Sequence, residues 1–328
     1  MSLTSSLKDP ASPVSRFLTD RLPGTAHVIS SIRGQLPPPE MTVRPQGGQR
    51  YDYRSLGRAI DRRLRVAFGS PLDAALAAGV AFAEGEAAAQ SGQAVGRAVH
   101  RAGRELLAEL KSQPPVLAGR PPGEEQRLAR LCFVASHFEE IYRAGLHSAS
   151  PLLQLATGEG LEALLAGVPA YVPADLARQV ELAAAHDALG WVTDLPAGQR
   201  VCAPTFSGST DVGGADADFI AAGRLIDCKA TVRPEKIGVA EIHQLAGYLL
   251  LDYDDRYGVD HVSLYLSRQG RLVSWGSQEF LDLLGSRSSL QQLRTACRQA
   301  LTPTLAPPPS ALPRQAGGVQ GTLFNPGR

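Results

Sequence analysis

The chain has 328 residues, 44% of them hydrophobic, and a formal net charge of +1 at pH 7. This length can hold one large or two medium domains. Because the net charge is close to zero, general basicity cannot attract nucleic acid, and a DNA-binding surface would have to be a local patch. The sequence contains no signal peptide and no apolar run long enough to cross a membrane, so we expect a cytoplasmic protein without a membrane partner.

The N-terminal segment, residues 1–45, is rich in Ser, Pro and Gly and contains three consecutive prolines at positions 37–39. Such a composition is typical of segments that bury too little apolar surface to fold. We therefore expect an extended or disordered leader over residues 1–45.

A mainly α-helical region is expected over residues 46–172, beginning with a basic amphipathic helix at 50–68. Within this helix Arg58 and Arg62 are candidates for contacts with DNA, because the guanidinium fork fits phosphate oxygens. A solvated helix face is the alternative for both arginines. Further helical patterns cover residues 71–111, 124–146 and 174–189.

Two acidic residues and a lysine fall on a predicted β-hairpin. Asp218 opens the first strand, residues 221–224 are typical of a tight turn, and the returning strand carries Asp227 and Lys229. Strand side chains alternate between faces, so Asp227 and Lys229 share a face that the hairpin brings opposite Asp218. Two converging carboxylates suit Mg²⁺ or Mn²⁺. A neighbouring lysine would orient the attacking water or stabilise developing charge.

Alternatives for these residues remain open. Asp216 lies two residues before Asp218 on the same strand face and could be the first acid instead. Asp218 is preferred because an apolar pair follows it directly. An Asp-x-Lys sequence by itself is more often a surface ion pair at a strand end. The chain has only four lysines, however, which makes a chance lysine at position 229 less common.

The pattern after the hairpin predicts a helix over residues 239–253, with apolar residues at helical spacing. Gln244 and Tyr248 are four residues apart and therefore share one face of this helix. Two strands, 261–267 and 271–275, are expected to follow. The alternative interpretation is purely structural: Tyr248 is a core aromatic and Gln244 is solvated.

These residues together resemble the PD-(D/E)xK nuclease superfamily, and within it the RecB-like exonuclease branch, in which the Gln-x-x-x-Tyr element is characteristic. The resemblance covers about residues 195–280. It implies a restriction-endonuclease-like core, in which a central mixed sheet is flanked by helices. It also implies the roles of the site residues: metal ligation by Asp218, Asp227 and the backbone carbonyl of Cys228, catalysis by these acids with Lys229 and Gln244, and DNA contact by Tyr248.

Two further metal-site candidates come from the same resemblance. His100 ends a Gly-x-x-x-His sequence similar to an upstream motif of RecB-like nucleases, whose His approaches the metal. Glu181 lies on the helix before the core, where many members of the family have an additional acid. Surface positions are the alternative for both residues. One departure from the family is that Ala217, rather than the frequent proline, precedes Asp218.

The C-terminal tail, residues 301–328, is rich in Pro and Gly and is expected to be disordered. It contains Gln320, Leu323 and Phe324 in the order Gln-x-x-Leu-Phe, which resembles the bacterial sliding-clamp-binding pentapeptide. In that motif the Gln anchors by hydrogen bonds and the Leu-Phe pair fills an apolar pocket. Docking of Leu323 and Phe324 onto the protein's own surface is the alternative.

We therefore expect an α/β protein with a mainly α-helical N-terminal region before a restriction-endonuclease-like core at residues 173–300. The expected function is that of a Mg²⁺- or Mn²⁺-dependent deoxyribonuclease in DNA repair, recombination or defence against foreign DNA. A DNA-binding module without activity is one alternative. An adaptor that recruits a partner to the sliding clamp is the other.

Overall fold

The computed structural model describes residues 2–47, 50–156, 158–185 and 187–302. These residues form twelve α-helices: α1 (Leu3–Ser6), α2 (Pro13–Arg21), α3 (Thr25–Gly34), α4 (Tyr53–Ala67), α5 (Ala74–Ser91), α6 (Gln93–Lys111), α7 (Pro122–Ala144), α8 (Leu161–Ala166), α9 (Tyr171–Ala183), α10 (Val239–Leu251), α11 (Ser277–Leu283) and α12 (Leu290–Leu301). They also form five strands: β1 (Arg200–Cys202), β2 (Phe219–Ala221), β3 (Arg224–Lys229), β4 (His261–Leu266) and β5 (Arg271–Gly276). Short 3-10 helices occur at Pro39–Met41, Pro151–Gln154, Gly190–Asp194, Ala197–Gln199, Ser209–Val212 and Pro234–Lys236.

The five strands lie in one mixed sheet in the order β1-β2-β3-β4-β5. Only the β3–β4 pair is parallel, and α10 provides the crossover between these two strands. The β2–β3 hairpin turns at Ala222 and Gly223, whose φ angles are +46° and +77°. Two consecutive positive φ angles are typical of the type I′ turn, whose twist matches that of the two strands. The predicted hairpin and the strands after α10 are confirmed.

Helices cover both faces of the sheet. Leu225 and Val262 face a core that includes α10, α11, α12 and the N-terminal helices. Ile226 and Tyr265 face the opposite core, which includes residues of α4 and α9. The predicted α/β class, with a mixed sheet flanked by helices and a helical N-terminal region, is confirmed. No helix within the described ranges is long and apolar enough to cross a membrane.

The prediction of a disordered leader over residues 1–45 is wrong. Val14, Leu18 and Leu22 recur at helical spacing and are buried, at 2%, 0% and 0% exposure. The serines that suggested disorder are helix caps: Ser2 forms a capping box with α1, and the Ser12 side chain accepts a hydrogen bond at the start of α2. Helices α1, α2 and α3 all pack against α10. Ser and Pro at the first turns therefore begin helices here.

The helical region is built around α4, α5, α6 and α7. The Ala-rich pattern at 71–111 forms two helices rather than one, because Gly92 adopts a φ of +86° between α5 and α6. Helix α4 packs on α7 and α9, and its residues Ile60 and Leu64 belong to the core beneath the sheet. One helix of the N-terminal region therefore also supports the sheet.

Candidate active site

The two predicted acids meet where β2 begins and β3 ends. Phe219 pairs with Ile226, and the same register sets Asp218 opposite Asp227. Asp218 Oδ2 accepts a hydrogen bond from the backbone N–H of Cys228 at 2.7 Å. Asp227 is only 2% exposed. The hairpin therefore holds both carboxylates at one end of the sheet, on the side facing α10.

Lys229 connects the acids to α10. Its Nζ lies 2.7 Å from Asp227 Oδ2 and donates a hydrogen bond to Gln244 Oε1 at 2.8 Å. Gln244 Nε2 donates in turn to the hydroxyl of Tyr248 at 2.7 Å. A polar chain thus runs from Asp227 through Lys229 and Gln244 to Tyr248, which fixes the position of the ammonium group.

Tyr248 is part of this polar chain but not of the protein surface. Its residue exposure is 5%, and its ring packs near that of Phe206, with centroids 5.9 Å apart. The burial contradicts the predicted direct contact between Tyr248 and DNA. What the tyrosine contributes is an acceptor that holds Gln244 in place.

Two residues of α4 that were not among the predicted site residues, Asp61 and Arg65, complete the site. Arg65 donates to Asp61 at 2.7 Å and to Asp73 at 3.2 Å, and its Nη2 lies 3.8 Å from Asp218 Oδ1. Asp61 and Arg65 are four residues apart on one helical face. A single acid within an Arg-rich helix was the only signal in the sequence, and it does not indicate which part of the chain Asp61 would meet.

The charged groups of the site change one another's pKa. Burial raises the pKa of Asp218 well above its ordinary value, and the nearby carboxylates of Asp61 and Asp227 raise it further. Burial likewise raises the pKa of Asp61, despite its ion pair with Arg65. Burial alone would lower the pKa of Lys229, but Asp227 and Asp218 raise it above its usual value. The lysine is therefore a cation at neutral pH, and the site brings three carboxyl groups, those of Asp61, Asp218 and Asp227, together with two cationic side chains, Arg65 and Lys229.

Asp216 and Asp218 have different surroundings. Asp216 Oδ2 pairs with Arg143 Nη2 at 3.1 Å, and the Asp216 side chain is 37% exposed. Asp218, by contrast, contacts Cys228 and Arg65 within the site. These contacts favour Asp218 over Asp216 as the acid that works with Asp227.

The arginines predicted to contact DNA lie on α4. Arg62 is 1% exposed and is ion-paired with Asp73 at 2.8 Å and Glu139 at 3.1 Å. The prediction that Arg62 binds DNA is wrong, because its guanidinium is buried and already matched by two carboxylates. Arg58 is partly exposed and pairs with Glu140, so its role stays a prediction.

His100 and Glu181 are not joined to the acids by any hydrogen bond or ion pair. His100 lies on α6, where its Nδ1 is 3.2 Å from the carbonyl oxygen of Val80. Glu181 lies on the exposed side of α9 and pairs with Arg178. Neither contact supports the predicted metal-site role. Gln320, Leu323 and Phe324 lie outside the described residues.

The donor set fits a hard divalent cation. Asp61 Oδ1 is buried without a hydrogen-bond partner, and the Lys229 ammonium, 2.7 Å away, is the ion-pair partner of the buried Asp227 Oδ2. In the described ranges no group of three or more His, Cys, Asp or Glu side chains could hold a metal by itself. Mg²⁺, however, is commonly held by one or two carboxylates, with water and substrate phosphates as the remaining ligands.

The backbone of Cys228 completes this set. The carbonyl of Lys229 accepts from Ser267 N after β4, and neighbouring residues of a strand direct their polar groups to opposite sides. The carbonyl of Cys228 therefore points toward β2. The Cys228 N–H, which donates to Asp218, points the same way. Two carboxylates and one carbonyl oxygen can thus approach one ion.

No protein family, curated protein or solved structure matches this chain. The geometry and charges of the site are therefore the observations that bear on its function.

Proposed function

We propose that the protein is a Mg²⁺- or Mn²⁺-dependent deoxyribonuclease with a restriction-endonuclease-like core of the PD-(D/E)xK type. The observation that carries the proposal is the convergence of Asp218, Asp227 and Lys229 at the end of one hairpin, beside an Asp61 carboxylate oxygen that has no hydrogen-bond partner. Neighbouring carboxyl groups that raise one another's pKa, as Asp61 and Asp227 do for Asp218, are costly to ionise in a free protein. A site that binds a cation during function accounts for that cost.

Each residue of the site would have a separate role in phosphodiester hydrolysis. Asp218, Asp227 and the Cys228 carbonyl would hold the ion, which polarises a phosphodiester and lowers the pKa of the attacking water when it is bound. Lys229, kept protonated by its acidic neighbours, would stabilise negative charge on the phosphorane rather than remove a proton. Gln244 would keep the ammonium group aimed at the reacting phosphate.

Two residues of α4, Arg65 and Asp61, would support the proposed metal site. Arg65 bridges Asp61, Asp73 and Asp218, so it would hold the Asp218 carboxylate in place before the ion arrives. Asp61 would add negative charge next to the ion, either directly or through a bound water. Both roles require α4 to stay docked at the end of β2.

Cleavage of linear and covalently closed circular DNA, with Mg²⁺ or with EDTA, tests the proposal. The wild-type protein should cleave only with the metal, and Lys229→Ala should abolish cleavage. Lys236→Ala is a matched control, because Lys236 is an exposed lysine seven residues further along the same connection. Its activity should equal that of the wild type. Absence of cleavage by the wild type with Mg²⁺ and with Mn²⁺ would leave a DNA-binding module or an adaptor as the function.

A further inference from the structure

A group of arginines leads away from the candidate active site along α4 and α7. Arg54, Arg58, Asp61 and Arg65 are spaced at i, i+4, i+7 and i+11 and therefore share one face of α4. At about 1.5 Å per residue, this face extends about 16 Å from Arg65 to Arg54. Arg143, near the end of α7, joins the same group, because it pairs with Glu139, the residue before the Glu140 that pairs with Arg54 and Arg58. We call Arg54, Arg58 and Arg143 the arginine wall.

The arginine wall begins close to Asp218. Arg143 pairs with Asp216 at 3.1 Å, and Asp216 is two residues from Asp218. At the other end, Arg54 and Arg58 share a single carboxylate, that of Glu140. Arg54 is 75% exposed on its side chain, and Arg58 is 23% exposed. At this end two guanidinium groups share one carboxylate, so the paired positive charges outnumber the negative charge.

The wall borders an open cavity of about 510 Å³. Arg50, Arg54, Arg58, His137 and His147 line it together with Glu140 and Asp52. Asp52 is already engaged as the cap of α4, where it accepts hydrogen bonds from the N–H and hydroxyl of Ser55. The cavity therefore offers several cationic or donor groups to an anion, and it is large enough for part of a nucleotide strand.

An exposed aromatic side chain stands next to the wall. Tyr142 precedes Arg143 on α7 and is 51% exposed. It lines a second cavity of about 520 Å³ together with Arg143 and Asp216. Proteins that bind single-stranded nucleic acid combine a positively charged groove with aromatic rings on which unpaired bases stack. A base paired within a duplex does not offer its face to such a ring.

From this arrangement we propose that the arginine wall and Tyr142 bind a single DNA strand and guide it to Asp218. One part of this inference, that the bound strand leads toward Asp218, rests on the proposed nuclease function. Arg54, Arg58 and Arg143 contact successive backbone phosphates, and a base stacks on Tyr142. In the free protein Glu139, Glu140 and Asp216 occupy these arginines, and phosphate oxygens replace the Glu140 and Asp216 carboxylates when the strand binds.

The test is equilibrium binding of a fluorescent 20-nucleotide single strand and of the matching duplex, measured by anisotropy in EDTA. Without metal no cleavage takes place, so binding is measured independently of the proposed reaction. We expect the wild type to prefer the single strand. Arg54→Ala should weaken binding about fivefold and reduce the slope of log K against log salt by about 0.7. Arg178→Ala is the matched control, since Arg178 is 69% exposed and paired with Glu181, and it should change neither quantity.

Stacking on Tyr142 has its own readout. An oligonucleotide containing 2-aminopurine should lose fluorescence on binding the wild type and Tyr142→Phe but not Tyr142→Ala. Phe82→Ala is the control, because Phe82 is equally exposed, at 53%, on α5. Unchanged binding and salt slope in Arg54→Ala, or equal quenching in Tyr142→Ala, would overturn the inference. Binding as proposed without cleavage in Mg²⁺ would refute the nuclease function and leave the strand-binding surface intact.

Discussion

Replacing Asp218 by asparagine should stabilise the metal-free protein at alkaline pH. Burial and the charges of Asp61 and Asp227 raise the pKa of Asp218 in the folded state. A carboxyl group with a raised folded-state pKa stabilises the fold while protonated, and that contribution is lost as the pH rises through the folded-state pKa. Asparagine keeps an oxygen for the N–H of Cys228 and does not ionise. The stability gain should therefore be present at pH 8 and absent below about pH 4, the usual range of an unfolded-state Asp.

The size of the gain follows from the hairpin register. Asp218 stands opposite Asp227, and directly opposed residues have Cβ atoms about 5 Å apart. Two unit charges at this distance repel by about 3 kcal/mol at an effective dielectric constant of about 20. Arg65 and Lys229 offset part of this repulsion, so we expect a net gain of about 1 to 2 kcal/mol in the free energy of unfolding. This corresponds to a Tm increase of about 2 to 8 °C for a domain of this size.

Thermal unfolding followed by circular dichroism, at pH 8 and at pH 4 in EDTA, measures the effect. Asp216→Asn is the matched control: its carboxylate is 37% exposed and paired with Arg143, so its removal should give no gain. Addition of Mg²⁺ should raise the Tm of the wild type, because a ligand that binds only the folded state stabilises it, and should raise that of Asp218→Asn much less. A lower Tm for Asp218→Asn than for the wild type at pH 8 in EDTA would refute the reasoning, since the Arg65 ion pair would then outweigh the repulsion.

Asp61→Asn should reduce the rate of DNA cleavage at least about tenfold with little change in substrate affinity, which single-turnover kinetics would check. Gln244→Ala should lower kcat more than it changes KM, because it releases Lys229, whereas Tyr248→Phe should have a smaller effect; equal effects in steady-state kinetics would contradict this order. Leu18→Ala should cost about 2 to 5 kcal/mol in unfolding free energy, measured by urea denaturation, and a cost near zero would mean that α2 does not stabilise the fold. A peptide spanning residues 316–328 should bind the host's purified sliding clamp in calorimetry and lose binding when its Leu-Phe pair is replaced by alanines, and no binding under conditions where a known clamp ligand binds would end the clamp hypothesis.

The sequence predicted the hairpin and α10 well because their signals are local. Alternation on β3 and the Gly223 turn define the register that sets Asp218 opposite Asp227. Helical spacing likewise defines the face shared by Gln244 and Tyr248. Such contacts depend on residues within one or two elements, and local periodicity is enough to predict them.

Features that depend on distant partners were not predictable in this way. Arg62 has the composition of a phosphate-binding residue, yet Asp73 and Glu139 enclose it. Tyr248 lies in the core although its spacing also suits a surface contact. The leader was misjudged because serine and proline caps resemble a disordered composition when the apolar stripe between them is short. In each case the local sequence allows two structures, and tertiary packing determines which of them forms.

The docking of α4 at the end of β2 has a consequence for biosynthesis. Asp61 and Arg65 leave the ribosome about 160 residues before Asp218 and Lys229, and contacts over such separations form late in folding. A nascent or truncated chain would therefore carry the α4 half of the site without the hairpin half. If the protein cleaves DNA as we propose, that activity would arise only once the sheet has closed against α4, and incomplete products of translation would lack it.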